Sequence, residues 1–221
     1  FSCLELWFAM EVNTNINVGH YFKTPLFTGV EKSFLADLIK ATDPHIEEAR
    51  KRKKDLFGMS HHSNVLYNDK KFDEFIKYIS MISTDFMEMQ GYKTEIYKPT
   101  LNELWVQEFT KKGGGHHGTH THYNQHVSGF YFLKCSEDTS FPIFHDPRAG
   151  SLMCRLEERK PLEVTDSSPF IHCKVEPGSI IIFPGYLPHE FSLDSGKDSF
   201  RFIHWNFQFL PKEYKDCEVN R

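Results

Sequence analysis

The sequence predicts a mainly β chain, a double-stranded β-helix of the jelly-roll, cupin-like kind, with helices confined to its N-terminal part. Three observations lead there. After Gly91 the apolar pattern changes from three- and four-residue steps to short runs of strand character. Turn signals separate those runs at regular spacing, and no helical pattern is interleaved between them. Many short strands without alternating helices make a sandwich or barrel rather than a parallel sheet.

In chain order, Leu4 to Met10 and Pro25 to Phe27 are short apolar pieces that read as candidate strands. Glu31 to Ala41 reads as a helix with Phe34, Leu35 and Leu38 on one face. A clearer helix runs from about Lys71 to Gln90. Its residues Phe72, Phe75, Ile76, Ile79, Ile82, Phe86 and Met87 follow helical steps, Asn68 or Asp69 can cap its start, and Gly91 can end it. Strands follow at Thr94 to Tyr97, Glu103 to Phe109, Val127 to Lys134, Phe141 to His145, Phe170 to Val175, Ser179 to Pro184 and Phe200 to Phe209. The turns between them fall at Lys112 to Gly115, Ser136 to Thr139, Asp146-Pro147, Glu176-Pro177-Gly178 and Asp194 to Gly196. The 221 residues fit a single domain, with residues 1–92 as helical support packed outside a jelly-roll core at 93–211. The 21 phenylalanines suit a strand-rich interior.

A net charge of −4 with no basic stripe argues against nucleic acid as a partner. The run Arg50 to Lys54 reads as a solvated helix face, paired with Glu47 and Glu48. Five cysteines, an odd number without a CxxC, argue against a disulfide framework or a thiolate zinc site and for a reducing setting. No apolar stretch approaches membrane-spanning length, and Phe1 to Met10 lacks the basic start of a secretory signal. The expected location is therefore cytoplasmic, without a membrane partner; the sequence leaves the oligomeric state open.

The chemistry concentrates in histidine. Six of the 13 fall between His116 and His145. His120 and His122 stand at strand spacing, so both point to one face, and His189 can join them from a distant strand. Three imidazoles with open positions describe a catalytic rather than a structural metal. Arg201, twelve residues after His189 and flanked by Phe200, Phe202 and Ile203, is the candidate binder of an acid. Asp146 is either a further ligand or, as Asp-Pro favours, a turn opener. Ser128 can hydrogen-bond a bound acid, and His126 can cap a loop. His116 and His117 line the mouth or face water. His145, His172 and His204 read as isolated strand histidines with satisfied hydrogen bonds. Gly113 to Gly115 lacks the lysine and hydroxyl residue of a phosphate loop and reads as a flexible hairpin or a hinge for substrate entry.

Several stretches together resemble the 2-oxoglutarate/Fe(II)-dependent dioxygenases, in particular a phage-type, prolyl 4-hydroxylase-like group. They are Trp105 to Phe109, His120-x-His122 through Ser128-Gly129-Phe-Tyr131, Phe144 to Arg148, Glu176 to Pro184 with His189, and Arg201 to Asn206. The resemblance spans roughly Leu56 to Pro211 and implies Fe(II) and 2-oxoglutarate, with ascorbate as a further reductant. It implies His120 and His189 as ligands, Arg201 as the anchor of the cosubstrate's far carboxylate, and Gln107 as a polar contact to it. Where the family pattern has a carboxylate ligand, this chain has His122; either three histidines hold the iron or a carboxylate such as Asp146 reaches in. Phe132 stands where some relatives have a cosubstrate-contacting tyrosine. The expected activity is hydroxylation of a small-molecule or peptidyl substrate with O2, coupled to decarboxylation of 2-oxoglutarate to succinate. Phe130, Phe132, Ile181 and Phe183 are expected to form a dry wall. Two alternatives stand beside it: a three-histidine iron dioxygenase that uses no 2-oxoglutarate, and a non-catalytic cupin-like module binding metal or a small acid.

Overall fold

The structure, a computed structural model, describes residues 20–52 and 59–213; the candidate strand at residues 4–10 lies outside them. The described strands are β1 Phe27–Val30, β2 Ser60–His62, β3 Tyr97–Phe109, β4 His117–His120, β5 Val127–Lys134, β6 Pro142–His145, β7 Phe170–His172, β8 Ser179–Pro184, β9 His189–Phe191 and β10 Phe200–Pro211. Two long helices, α1 Leu35–Lys51 and α2 Asp73–Met89, and a short α3, Ala149–Met153, complete the set. All pairings are antiparallel, in a six-stranded sheet ordered β1-β8-β5-β10-β3-β2 and a four-stranded sheet ordered β4-β9-β6-β7. This is the jelly roll with helices on its outside.

Strand alternation divides the core in two. From the large sheet, Leu104, Val106, Val127, Tyr131, Ile180, Ile182, Ile203, Trp205 and Phe207 face the helices, where Leu38, Ile46, Phe75, Ile79 and Phe86 meet them. The alternate residues Phe109, Phe130, Phe132, Ile181, Phe183, Phe200 and Phe202 face the small sheet and pack with Phe144, Leu187 and Phe191. Both faces of the large sheet are thus covered, which explains why β8 is buried at every position. The aromatic rings fill the space between the sheets, with Phe191 and Phe202 at 4.5 Å and Phe130 and Phe191 at 5.0 Å between centroids.

Several boundaries differ from expectation. The first helix starts at Leu35 rather than Glu31 and continues past Ala41 to Lys51 with Pro44 inside it, because Leu38, Ala41, Ile46 and Ala49 form one buried face. Thr94–Ile96 is a 3-10 turn rather than a strand, and β3 begins after it. The segment Phe170 to Val175 is strand only to His172. Strands β2, β4 and β9 have three or four residues, too few to show alternation, and form by pairing with longer neighbours. Asp69 accepts from the backbone N–H of Lys71 at the start of the α2 region, and Gly91 follows its end at φ +90°. Within the expected solvated run, the Arg50 guanidinium donates to Glu108 on β3, so that residue ties helix to sheet.

Candidate metal centre

Strand β4 lies beside β9 with His120 opposite His189. His122 follows β4 by two residues, and its backbone N–H donates to the Gly185 carbonyl at 2.8 Å. Gly185 must be glycine, because a Cβ there would stand 2.4 Å from the Gln125 carbonyl oxygen. This close approach stitches the loop carrying His122 to the turn that leads into His189.

The three side chains converge. One ring nitrogen from each of His120, His122 and His189 lies within 4.8 Å of the others, and the Nε2 atoms of His122 and His189 are 3.2 Å apart. His189 is fully buried; His120 and His122 are half-buried. Burial, with the other histidines adding to it, holds His122 and His189 down to about 3, so both rings are neutral near pH 7. A neutral imidazole has one lone-pair nitrogen and one N–H, and the hydrogen bonds assign which is which. Nδ1 of His120 donates to the Gly118 carbonyl at 2.7 Å, and Nδ1 of His189 donates to the Leu187 carbonyl at 2.9 Å. Each therefore presents an Nε2 lone pair to the space between the rings. This donor set fits a first-row divalent metal.

Behind His122 lies a polar row. The Asn206 side-chain amide is 3.0 Å from His122 Nδ1 and donates to Glu103 at 2.6 Å, while Ser128 Oγ donates to the Asn206 carbonyl oxygen at 2.6 Å. His204 stacks on His122 at 4.6 Å with 24° between planes. It is fully buried, and neither of its ring nitrogens has a hydrogen-bond partner among the described residues. The expectation that it is a satisfied strand histidine is thereby overturned. Glu103, His122 and His204 form a second group whose donor atoms lie within 4.8 Å.

The structure does not bring Arg201 to the histidines. On β10, Phe202, His204 and Asn206 face the inside of the roll, so Arg201 faces the helices. There its Nε and Nη2 bond Glu108 at 2.8 and 2.7 Å, and its Nη1 bonds Asp43 at 2.6 Å and Thr42 at 3.2 Å. At 3% exposure and with both carboxylates in place, the guanidinium has no route to a cosubstrate in the roll. The residues present thus fit a metal, but not 2-oxoglutarate through this anchor. Gln107 does face inward and is buried; its amide donates to Ser60 at 3.2 Å and its Oε1 has no partner among the described residues. Ser128 is engaged by Asn206. Asp146 is a turn residue: it accepts from the Arg148 side chain and backbone and from Ser151, which holds its carboxyl down to about 2. His126 accepts from the Phe209 backbone N–H at 3.1 Å. His117 lies on β4 against Trp105 and Phe202, where burial pushes it down to about 4, and His116 bonds the Gly114 carbonyl. The glycine run is no free hinge, since Gly114 and Gly115 each bond the Asp194 backbone, at 2.9 and 2.8 Å. The dry wall of Phe130, Phe132, Ile181 and Phe183 is buried as expected, with the Phe183 ring 4.7 Å from His189.

Residues 103–202 match the family described as "Putative 2OG-Fe(II) oxygenase". The matched segment carries all three converging histidines. No curated protein matches the chain in sequence. Among solved structures it is similar to a prolyl-4-hydroxylase from Pseudomonas putida, at 12% identity over 84% of this chain and 93% of that one, with a TM-score of 0.51. It is also similar to a prolyl hydroxylase from Trichoplax adhaerens, at 11% identity over 83% of each chain and a TM-score of 0.55. A third is the non-heme alpha ketoglutarate dependent carbocyclase SnoK from nogalamycin biosynthesis, at 9% identity, 83% of this chain, 80% of that one and a TM-score of 0.58. At these identities the likeness establishes the jelly-roll fold alone.

Sequence reasoning missed Glu103 and the buried, unpartnered state of His204. Strand parity carried a signal for His204, since residues 202, 204 and 206 share one face of a strand and 201 takes the other, whereas Glu103 is placed by the pairing of β3 with β10, opposite Asn206.

Proposed function

We propose that the protein is a non-haem Fe(II) and 2-oxoglutarate-dependent dioxygenase, acting as a hydroxylase, with His120, His122 and His189 as the metal ligands. The observation that carries this reading is the convergence of the three rings between β4 and β9, inside the segment that matches the oxygenase family. When bound, iron and 2-oxoglutarate supply oxygen activation, with 2-oxoglutarate decarboxylated to succinate. The chain's own part is to hold the three rings in place and keep water out with Phe130, Phe144 and Phe183 around His189. A cleft of about 660 Å³, lined by Phe144, His145, Asp146, Arg148, Phe170 and Leu187, lies on the far side of Phe144 from His189, and none of the three histidines lines it.

Arg201 favours a second reading, a three-histidine iron oxygenase that uses no 2-oxoglutarate, because its guanidinium is tied to Glu108 and Asp43. Iron-loaded protein should form succinate from 2-oxoglutarate under air, and His189→Ala should lose it. Oxygen uptake with iron and ascorbate but without succinate would replace the first reading by the second. No metal binding at all would remove both.

A further inference from the structure

The three histidines are not equivalent, and the row behind His122 makes the difference. A carboxylate only accepts hydrogen bonds, so the Asn206 group 2.6 Å from Glu103 must be its NH2. That fixes the amide: its oxygen faces Ser128, and its second hydrogen points at His122 Nδ1, 3.0 Å away. A nitrogen that receives a hydrogen bond holds a lone pair. In the neutral ring the proton then sits on Nε2, which faces the His189 Nε2 lone pair at 3.2 Å. His120 and His189 carry their protons on the opposite atom, Nδ1, against backbone carbonyls. Two rings are therefore set as donors, and the third is set as a hydrogen-bond donor to one of them.

We propose that Glu103 and Asn206 are positioning residues that hold His122 in the tautomer unable to bind metal through Nε2. The cation then rests first on His120 and His189, and His122 closes the site only when the Asn206 amide turns to accept its Nδ1 proton. The carboxylate Glu103 acts on His122 from two residues away, through Asn206. The inference rests on the metal-centre reading but is tested separately from it.

Long-range proton–nitrogen NMR of the metal-free wild-type protein reads each tautomer directly. The expected pattern is Nε2–H for His122 and Nδ1–H for His120 and His189; Nδ1–H on His122 overturns the proposal. Co(II) titration followed by its visible absorption gives the second arm. His120→Ala and His189→Ala should each weaken Co(II) at least roughly a hundredfold, and His122→Ala by no more than about tenfold. Equal losses overturn the proposal. The double variant Glu103→Gln/Asn206→Asp keeps the net charge and reverses the row, so that position 206 accepts from His122 Nδ1. It should bind Co(II) roughly tenfold more tightly, with a changed visible spectrum, and an unchanged affinity counts against the idea. Failure of the wild type to bind Co(II) would sink the metal centre, while the NMR pattern would still decide the tautomer.

Discussion

At the scale of single residues, the site depends on small groups placed where nothing larger fits. Gly185 lets the His122 loop and the His189 turn touch, through the bonds from His122 to the Gly185 carbonyl and from Gly185 to the His126 carbonyl. Gly185→Ala forces a Cβ into the Gln125 carbonyl and separates the two histidines, so metal affinity should fall roughly tenfold or more, as measured by Co(II) titration. An affinity equal to wild type would show that the stitch is not what sets the spacing. Gly129 is the counterpart in the core. A Cβ there would stand 2.1 Å from the Trp205 ring, and Gly129→Ala should cost about 1–3 kcal/mol in denaturant unfolding with little change in metal affinity. The three candidate ligands His120, His122 and His189 were legible from their spacing, but His122 lies two residues beyond β4 and is placed by its bond to Gly185, not by strand alternation. The tautomer row was not, since Glu103 lies nineteen positions before His122 and no local pattern links them.

At the scale of elements, the pairing of α1 with the large sheet rests on an ion cluster. Arg201 and Glu108 are both nearly buried, Asp43 and Thr42 come from α1, and Arg50 from the same helix reaches Glu108. Removing the guanidinium leaves the Glu108 carboxylate buried without its main partner, so Arg201→Met should destabilise by about 3–5 kcal/mol. The double variant Arg201→Met/Glu108→Met should recover most of that loss. Unfolding midpoints measure both, and a single variant of wild-type stability would contradict the strut role. In the β6–β7 connection, Asp146 holds Arg148 and Ser151. Its folded-state carboxyl sits near 2, below the ordinary 3.8, so its contribution is present above about pH 4 and is lost as pH falls toward 2. Proteolysis of the connection should therefore rise with Asp146→Asn at neutral pH, and the variant should lose the wild-type acid dependence below pH 4.

At the scale of the whole molecule, the jelly roll brings β4 and β9 together from positions almost seventy residues apart in the chain, and the binding energy of a metal held there would be shared with folding. Co(II) at a hundred times its dissociation constant should stabilise the protein by about 2.7 kcal/mol, removable by chelator and absent in His189→Ala. The strand content after Gly91, the two-helix N-terminal part, the inward Phe130, Phe132, Ile181 and Phe183, and the set of candidate metal ligands were all determined by the sequence itself, because alternation and spacing are local properties of the backbone. Only the tertiary structure decided which face of β10 turns inward. Parity says that Arg201 and His204 point apart, but which of them faces the three histidines depends on which face α1 covers, and that is set by packing between segments more than a hundred residues apart. The fate of Arg201 and the burial of His204 follow from that one choice.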